Sequence, residues 1–198
     1  MTAVETQWVG GNNESVGQEL LKNVPICFSI YLVKLGNRNI LIDAGCDNIL
    51  GFDMRKFYSP AFVLRQAEVT SKDITDVIIT HAHHDHIEAV KHFENAVIHI
   101  TQDEYENRRK YISNVVTVSV FSNEYLLTPQ IKIVQWGGHT KGSAIVQIET
   151  DNITHIFAGD ECYTAANIVK RIPTGSSINQ IKSKKSSNCM DCRRLQRQ

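Results

Sequence analysis

Four imidazoles and a carboxylate fall within six residues, His81-Ala82-His83-His84-Asp85-His86. Crowding so many protonatable groups is costly once they are charged, and neutral imidazole is the commonest metal ligand, so cation binding is the chemistry this spacing favours. His81 and His83 can point to one side of the chain while Asp85 and His86 enter a following helical turn. The two pairs can then address two neighbouring metal positions. The competing reading is a solvent-exposed histidine cluster. His139, set among Gly137, Gly138 and Gly142, and Asp160, after Ala158-Gly159, are further candidates. The glycines allow tight backbone approaches, and a carboxylate with two oxygens can bridge two cations. Asp43 precedes Ala44-Gly45, where an Asp taken alone is more often a turn residue.

Such side chains need strand ends and short loops to hold them, and the pattern supplies these by alternating strands with helices. Ile26 to Leu35 is rich in β-branched and aromatic residues, Gly36-Asn37-Arg38-Asn39 carries turn chemistry, and Ile40 to Ile42 is apolar again, which predicts a β-hairpin. Ser59-Pro60 predicts a cap and first helical position for a helix through Ala67. Val77 to Thr80 reads as a short buried strand leading straight into His81. Ala89 to Phe93 continues a helix, Ala96 to Ile100 is a strand, and Thr101 with Glu104 forms a capping box for a helix from Gln102 to about Ile112. Four more strands are predicted, Val115 to Phe121, Ile131 to Trp136, Ala144 to Ile148 and Ile153 to Phe157. His139 and Asp160 stand in the loops at their ends.

Composition fits this alternation. The 198 residues are 42% hydrophobic and 21% charged, ordinary globular usage that excludes collagen-like and disordered classes. No apolar run approaches the roughly 20 residues that span a bilayer, and the start Met1-Thr2-Ala3-Val4-Glu5 lacks a secretory leader's pattern. A cytoplasmic protein is expected, in keeping with the scattered cysteines Cys27, Cys46 and Cys162. Charge is uneven. Residues 1 to 169 hold 13 Lys or Arg against 20 Asp or Glu, and residues 170 to 198 hold 8 against one, so a neutral chain ends at +7 after a stretch at −7. That predicts a domain over 1–175 and a basic, flexible tail over 176–198, where Cys189 and Cys192 form a lone pair too sparse for a zinc site.

The His-x-His-x-Asp-His motif, Asp43-Ala44-Gly45 after a strand, Gly138-His139-Thr140 and Gly159-Asp160, in this order, resemble the metallo-β-lactamase superfamily over about residues 26 to 165. The resemblance implies an α/β fold, an αβ/βα sandwich whose C-terminal part is incomplete here. It implies one metal on His81, His83 and His139, a second on Asp85 and His86, Asp160 bridging both, and Asp43 supporting the ligands. Asp160-Glu161-Cys162-Tyr163 is similar to the Asp-x-x-Tyr element of the N-acyl-homoserine lactonases, which gives the Tyr163 hydroxyl a contact with the substrate carbonyl. Two departures stand out. Glu88 replaces the glycine of the usual His-x-Gly continuation and is expected to face solvent. The superfamily's last ligand His lies well beyond the bridging Asp, whereas the final histidine here is His155. The chain reads as cut short or altered near its end, with the second position served by Cys189, Cys192 or water, or weakly occupied; weak occupancy is the expectation.

The implied function is a hydrolase that opens a lactone or cleaves a related ester by attack of metal-bound hydroxide, using one or two Zn ions, with Fe or Mn also suited to these donors. Asp85, Asp160 and Tyr163 are the expected catalytic groups. The alternatives are a metal-binding but catalytically impaired member, a thioester hydrolase of the glyoxalase II type, and a nucleic-acid-processing member using the basic tail. The expected partner is a small-molecule ester or lactone, with neither membrane nor nucleic acid, and a homodimer is compatible. His84, His92, His99 and His155 are expected to be structural or surface histidines.

Overall fold

The structure is a computed structural model that describes residues 2–7, 25–49, 57–113, 117–170, 174 and 177–179. The expected hairpin forms from β2 (Pro25–Leu35) and β3 (Arg38–Ile42), which pair antiparallel with Leu35 opposite Arg38. Gly36, at φ 58, takes the left-handed position that a two-residue hairpin turn demands. Strand β1 (Thr2–Gln7) adds antiparallel to β2. Ser59 caps α1 (Pro60–Gln66), its Oγ accepting from the Phe62 N–H at 3.4 Å, with Pro60 at the first turn.

Beyond α1 the chain alternates strictly. Strands β4 (Asp76–Ile78), β5 (Val97–Thr101) and β6 (Thr117–Phe121) lie parallel to β3, joined through α2 (His84–Ile87) and α3 (Gln102–Ile112). Parallel neighbours need such crossovers, and strands covered on both faces read as unbroken apolar runs. Ile40, Leu41 and Ile42 are accordingly all buried, and Leu41, Val77 and Ile98 stand side by side in register in the core with Leu64, Ile87 and Phe93.

The six strands β1 to β6 form one sheet in chain order. The second is antiparallel, in the order β10, β9, β8, β7, from β7 (Glu124–Thr128), β8 (Ile131–Gln135), β9 (Ala144–Thr150) and β10 (Ile153–Phe157). A last helix, α4, covers Ala165–Lys170. The fold class is α/β, as expected. The described residues fall into two units, one holding β1 to β6 and the other β7 to α4. No described helix is long and apolar enough to cross a membrane.

Several local expectations need correction. Strand β7 was not anticipated, because Glu124 to Thr128 is short and only weakly alternating. The segment after α2 is a 3-10 turn, Glu88–His92, rather than α-helix. Thr101 makes no side-chain cap bond, and Glu104 instead accepts the Ala82 N–H at 2.8 Å. The basic tail from residue 180, with Cys189 and Cys192, lies outside the described residues.

A half-buried ion pair anchors the first sheet. The guanidinium of Arg38 forks onto the Asp76 carboxylate, which also accepts from Thr75 Oγ1 at 2.7 Å and His99 Nε2 at 2.9 Å. Burial opposes the Asp76 charge, but the bonds from His99, Arg38 and Thr75 outweigh it and hold the carboxyl well below its ordinary 3.8. A depressed folded value means that the stabilisation is complete above about pH 4 and disappears as pH falls through the folded value. Asp76→Asn should therefore cost about 1–3 kcal/mol at pH 7, because the bonds from Arg38, His99 and Thr75 lose their charged acceptor while Arg38 stays partly open to water. Urea unfolding between pH 2 and 7 checks this, since the variant should lose part of the wild type's acid sensitivity.

Candidate metal centre

The first candidate donor group is built at the C-terminal end of β4. The chain leaves the strand through Ile79 and Thr80 and sets His81 in the interior, fully buried. His83 follows in extended backbone (φ −70, ψ 156) just ahead of α2, which carries Asp85 and His86. Nε2 of His81 lies 3.0 Å from Nδ1 of His83, and Nε2 of His86 lies 3.5 Å from Oδ2 of Asp85. The His81 ring centroid is 4.0 Å from that of His86. Two atoms that each bind one tetrahedral ion at about 2.0–2.1 Å stand roughly 3.4 Å apart, so these separations are those of neighbouring ligands.

Asp43 sets this geometry. It is buried at φ 59, a left-handed conformation that Asp tolerates better than most residues. Its Oδ1 accepts the Thr80 N–H and its Oδ2 the Thr80 hydroxyl, each at 2.8 Å, while Oδ2 also receives His86 Nδ1 at 2.8 Å. With Nδ1 committed as donor, His86 turns Nε2 outward as a lone-pair nitrogen, the pattern by which carboxylates orient metal-binding histidines. Thr80 is a partner that sequence reading missed.

The Asp43 loop is latched to α2. Ala44 N donates to His86 O at 2.8 Å and Ala89 N to Gly45 O at 3.0 Å. Glu88, expected to face solvent, instead has a side chain only 14% exposed: Oε2 accepts the Asp47 N–H at 2.8 Å and Oε1 pairs with Lys91. Burial works against its charge, but Lys91 and the Asp47 N–H prevail and lower the carboxyl below its usual range. Glu88 thus ties the loop down where the usual motif has a glycine. Gly45 itself, at φ 74, leaves no room for a side chain, since a Cβ would stand 2.9 Å from Pro60 Cγ and 3.2 Å from Ile30 Cγ2. Gly45→Ala should cost about 2–4 kcal/mol from the left-handed backbone and the overlap together, measurable by chemical denaturation.

Beside these side chains lies a mostly apolar cleft, lined by Phe28, Ile30, Phe57, Tyr58 and Val63, with Asp85 at its wall. Cys46 also borders it. Burial first, then the charges of Asp85 and Glu88, push that thiol up to about 12, which makes it a poor nucleophile.

The second unit carries its own candidate donor group. His139, 1% exposed, follows Gly137 (φ 71), and its Nε2 lies 3.4 Å from Oδ2 of Asp160, again a ligand-like separation. Tyr163 donates its hydroxyl to the same Asp160 oxygen at 3.2 Å. Glu161, unremarked in the sequence, is buried, and its Oε1 accepts from the N–H groups of Gly138 and His139 and from Ser143 Oγ. The remaining histidines are bonded elsewhere, His84 to Asn48 O, His92 to Asp47, His99 to Asp76 and His155 to Thr150.

Residues 29–117 match the Metallo-beta-lactamase superfamily. An N-acyl homoserine lactonase, AiiB of Rhizobium rhizogenes, is 24% identical, the match covering 74% of this chain and 66% of the relative. The chain spans between about half and two thirds of the length of the curated relatives it matches. A probable metal-dependent hydrolase from Staphylococcus aureus has a similar structure, with a TM-score of 0.80 at 21% identity over 97% of this chain and 82% of the other. An N-acyl homoserine lactone hydrolase, with the product N-hexanoyl-L-homoserine bound at its catalytic metal centre, gives 0.72 at 19% identity over 85% and 77%. These structural likenesses show the fold.

Proposed function

We propose that this chain, whose residues 29–117 match the Metallo-beta-lactamase superfamily, is a metal-dependent hydrolase that opens a lactone or cleaves a related ester. The observation that carries this reading is the spacing of donor atoms within each unit, 3.0 and 3.5 Å in the first and 3.4 Å in the second. By the motif resemblance, His81, His83 and His139 would hold one ion and Asp85 and His86 a second, with Asp160 available to both. Zinc is the first choice for imidazole and carboxylate donors, with iron and manganese as alternatives.

When bound, cations of this kind make water acidic enough to serve as hydroxide near neutral pH and polarise an ester carbonyl. The chain's own groups then divide the work. Asp85 or Asp160 orients the attacking water and takes its proton as the new C–O bond forms, and the proton passes to the departing alkoxide as the ester bond breaks. Tyr163 turns its hydroxyl from Asp160 Oδ2 to the carbonyl oxygen as negative charge develops there. The apolar cleft beside Asp85 suits the hydrocarbon part of an acyl substituent. We place the protein in the cytoplasm, in keeping with cysteines scattered through the sequence rather than set in a disulfide framework.

The test strips the protein of metal and reloads it with Zn²⁺, Fe²⁺ or Mn²⁺. Metal per chain is then measured alongside turnover of an N-acyl homoserine lactone, an open-chain ester and an acyl thioester. Ring opening that appears only with metal is expected. A fully loaded protein that turns over none of the three would sink the reading.

A further inference from the structure

We infer that Glu161 is a positioning residue that fixes His139 through its backbone. The inference rests on the proposal that His139 binds metal, but its structural part can be tested without any ion. A single carboxylate oxygen, Oε1, accepts from Gly138 N at 2.9 Å, His139 N at 2.8 Å and Ser143 Oγ at 2.6 Å. The two consecutive N–H groups form a small cradle around the anion, and Ser143 sits at the far end of the same loop, so one group closes the loop from both sides.

The opposite edge of this peptide pair is held as well. Ile178 N donates to His139 O at 3.1 Å and Asn179 N to Gly138 O at 2.9 Å, so both residues have donor and acceptor engaged. Thr174 Oγ1 donates to the Asp160 carbonyl at 2.6 Å, bracing the residue next to Glu161. Glu161 is 2% exposed, so no water competes for these donors. With its backbone clamped on both sides, the His139 ring has little freedom except about its own χ angles. Pre-setting a ligand in this way reduces the ordering cost of binding a cation. Because the clamp acts on peptide groups rather than on the imidazole, neither a histidine pattern nor a ligand spacing reveals it.

The experiment uses the full chain and two variants, Glu161→Gln and Glu161→Ala. Co²⁺ is the metal probe, followed by its visible bands, and amide hydrogen exchange is measured on the metal-free protein. Removing the carboxylate in Glu161→Ala is expected to weaken Co²⁺ binding by up to about 100-fold and change the band pattern, whereas Glu161→Gln, which keeps a carbonyl oxygen in place, should lose under about tenfold. In metal-free Glu161→Gln the Gly138 and His139 amides should exchange about tenfold faster, since a neutral acceptor is weaker than a carboxylate, while the amides of the β8–β9 ladder keep their rates. Uniform acceleration across that ladder, or unchanged exchange at 138 and 139, would overturn the positioning role. Equal Co²⁺ affinity in wild type and Glu161→Ala would do the same. If Glu161→Ala does not fold, exchange in Glu161→Gln decides. Absence of Co²⁺ binding by the wild type would count against the metal reading and leave the exchange result to judge the clamp.

Discussion

His83→Ala is expected to remove lactone turnover, lowering it by about 10³-fold or more, while the protein stays folded. His83 is the better choice for this experiment than His81. His81 is fully buried, so truncating it would leave a cavity as well as a missing ligand. His83 is part-buried, and although it sits at the N-cap of α2 it makes no side-chain cap bond there. Its φ of −70 and ψ of 156 suit alanine equally well. The substitution therefore deletes the nitrogen that faces His81 at 3.0 Å without leaving a fully buried cavity. Metal per chain by mass spectrometry, turnover, and circular dichroism form the measurement. Wild-type turnover at reduced metal content would show that the catalytic centre lies elsewhere.

Local patterns were legible in the sequence, and distant pairings were not. The Ser59-Pro60 cap, the Gly36 turn and the β2–β3 hairpin depend on residues a few positions apart, and each appears where expected. The ligand run His81 to His86 is equally local, which is why its chemistry shows before any fold is known. Glu104 illustrates the limit. Its distance from Thr101 fits a capping box, yet it bonds to Ala82, 22 residues away, because the β5–α3 junction packs against the turn that carries the histidines. Glu88 and Glu161 repeat the lesson. Charged residues normally read as surface, but these two are withdrawn from water because backbone N–H groups from distant loops need an acceptor. A pattern of side-chain types carries no signal for that demand, since every residue except proline has the same N–H.

Asp43 should give the second large effect, and its two substitutions separate stability from metal binding. Asp43→Ala strands the Thr80 N–H and His86 Nδ1 without their acceptor and puts a β-carbon residue of lower tolerance at φ 59. Each stranded donor costs about 1–3 kcal/mol and the backbone about 1–2, so a loss of about 3 kcal/mol or more is expected. Asp43→Asn keeps the shape and the tolerance for that backbone, so it should fold with a smaller loss. Its amide must still choose an orientation. The Thr80 N–H cannot turn away, so the carbonyl oxygen stays opposite it at the Oδ1 position, and the NH₂ group falls at Oδ2, facing His86 Nδ1. His86 then has to accept at Nδ1 and carry its proton on Nε2, the atom 3.5 Å from Asp85 that the metal proposal needs unprotonated. Metal affinity at that position should fall by about 10–100-fold in a protein whose unfolding midpoint moves little. Nitrogen-15 spectra of the imidazoles report the tautomer directly. A His86 that keeps its proton on Nδ1 in Asp43→Asn, with metal affinity unchanged, would show that Asp43 braces the loop without governing the ligand.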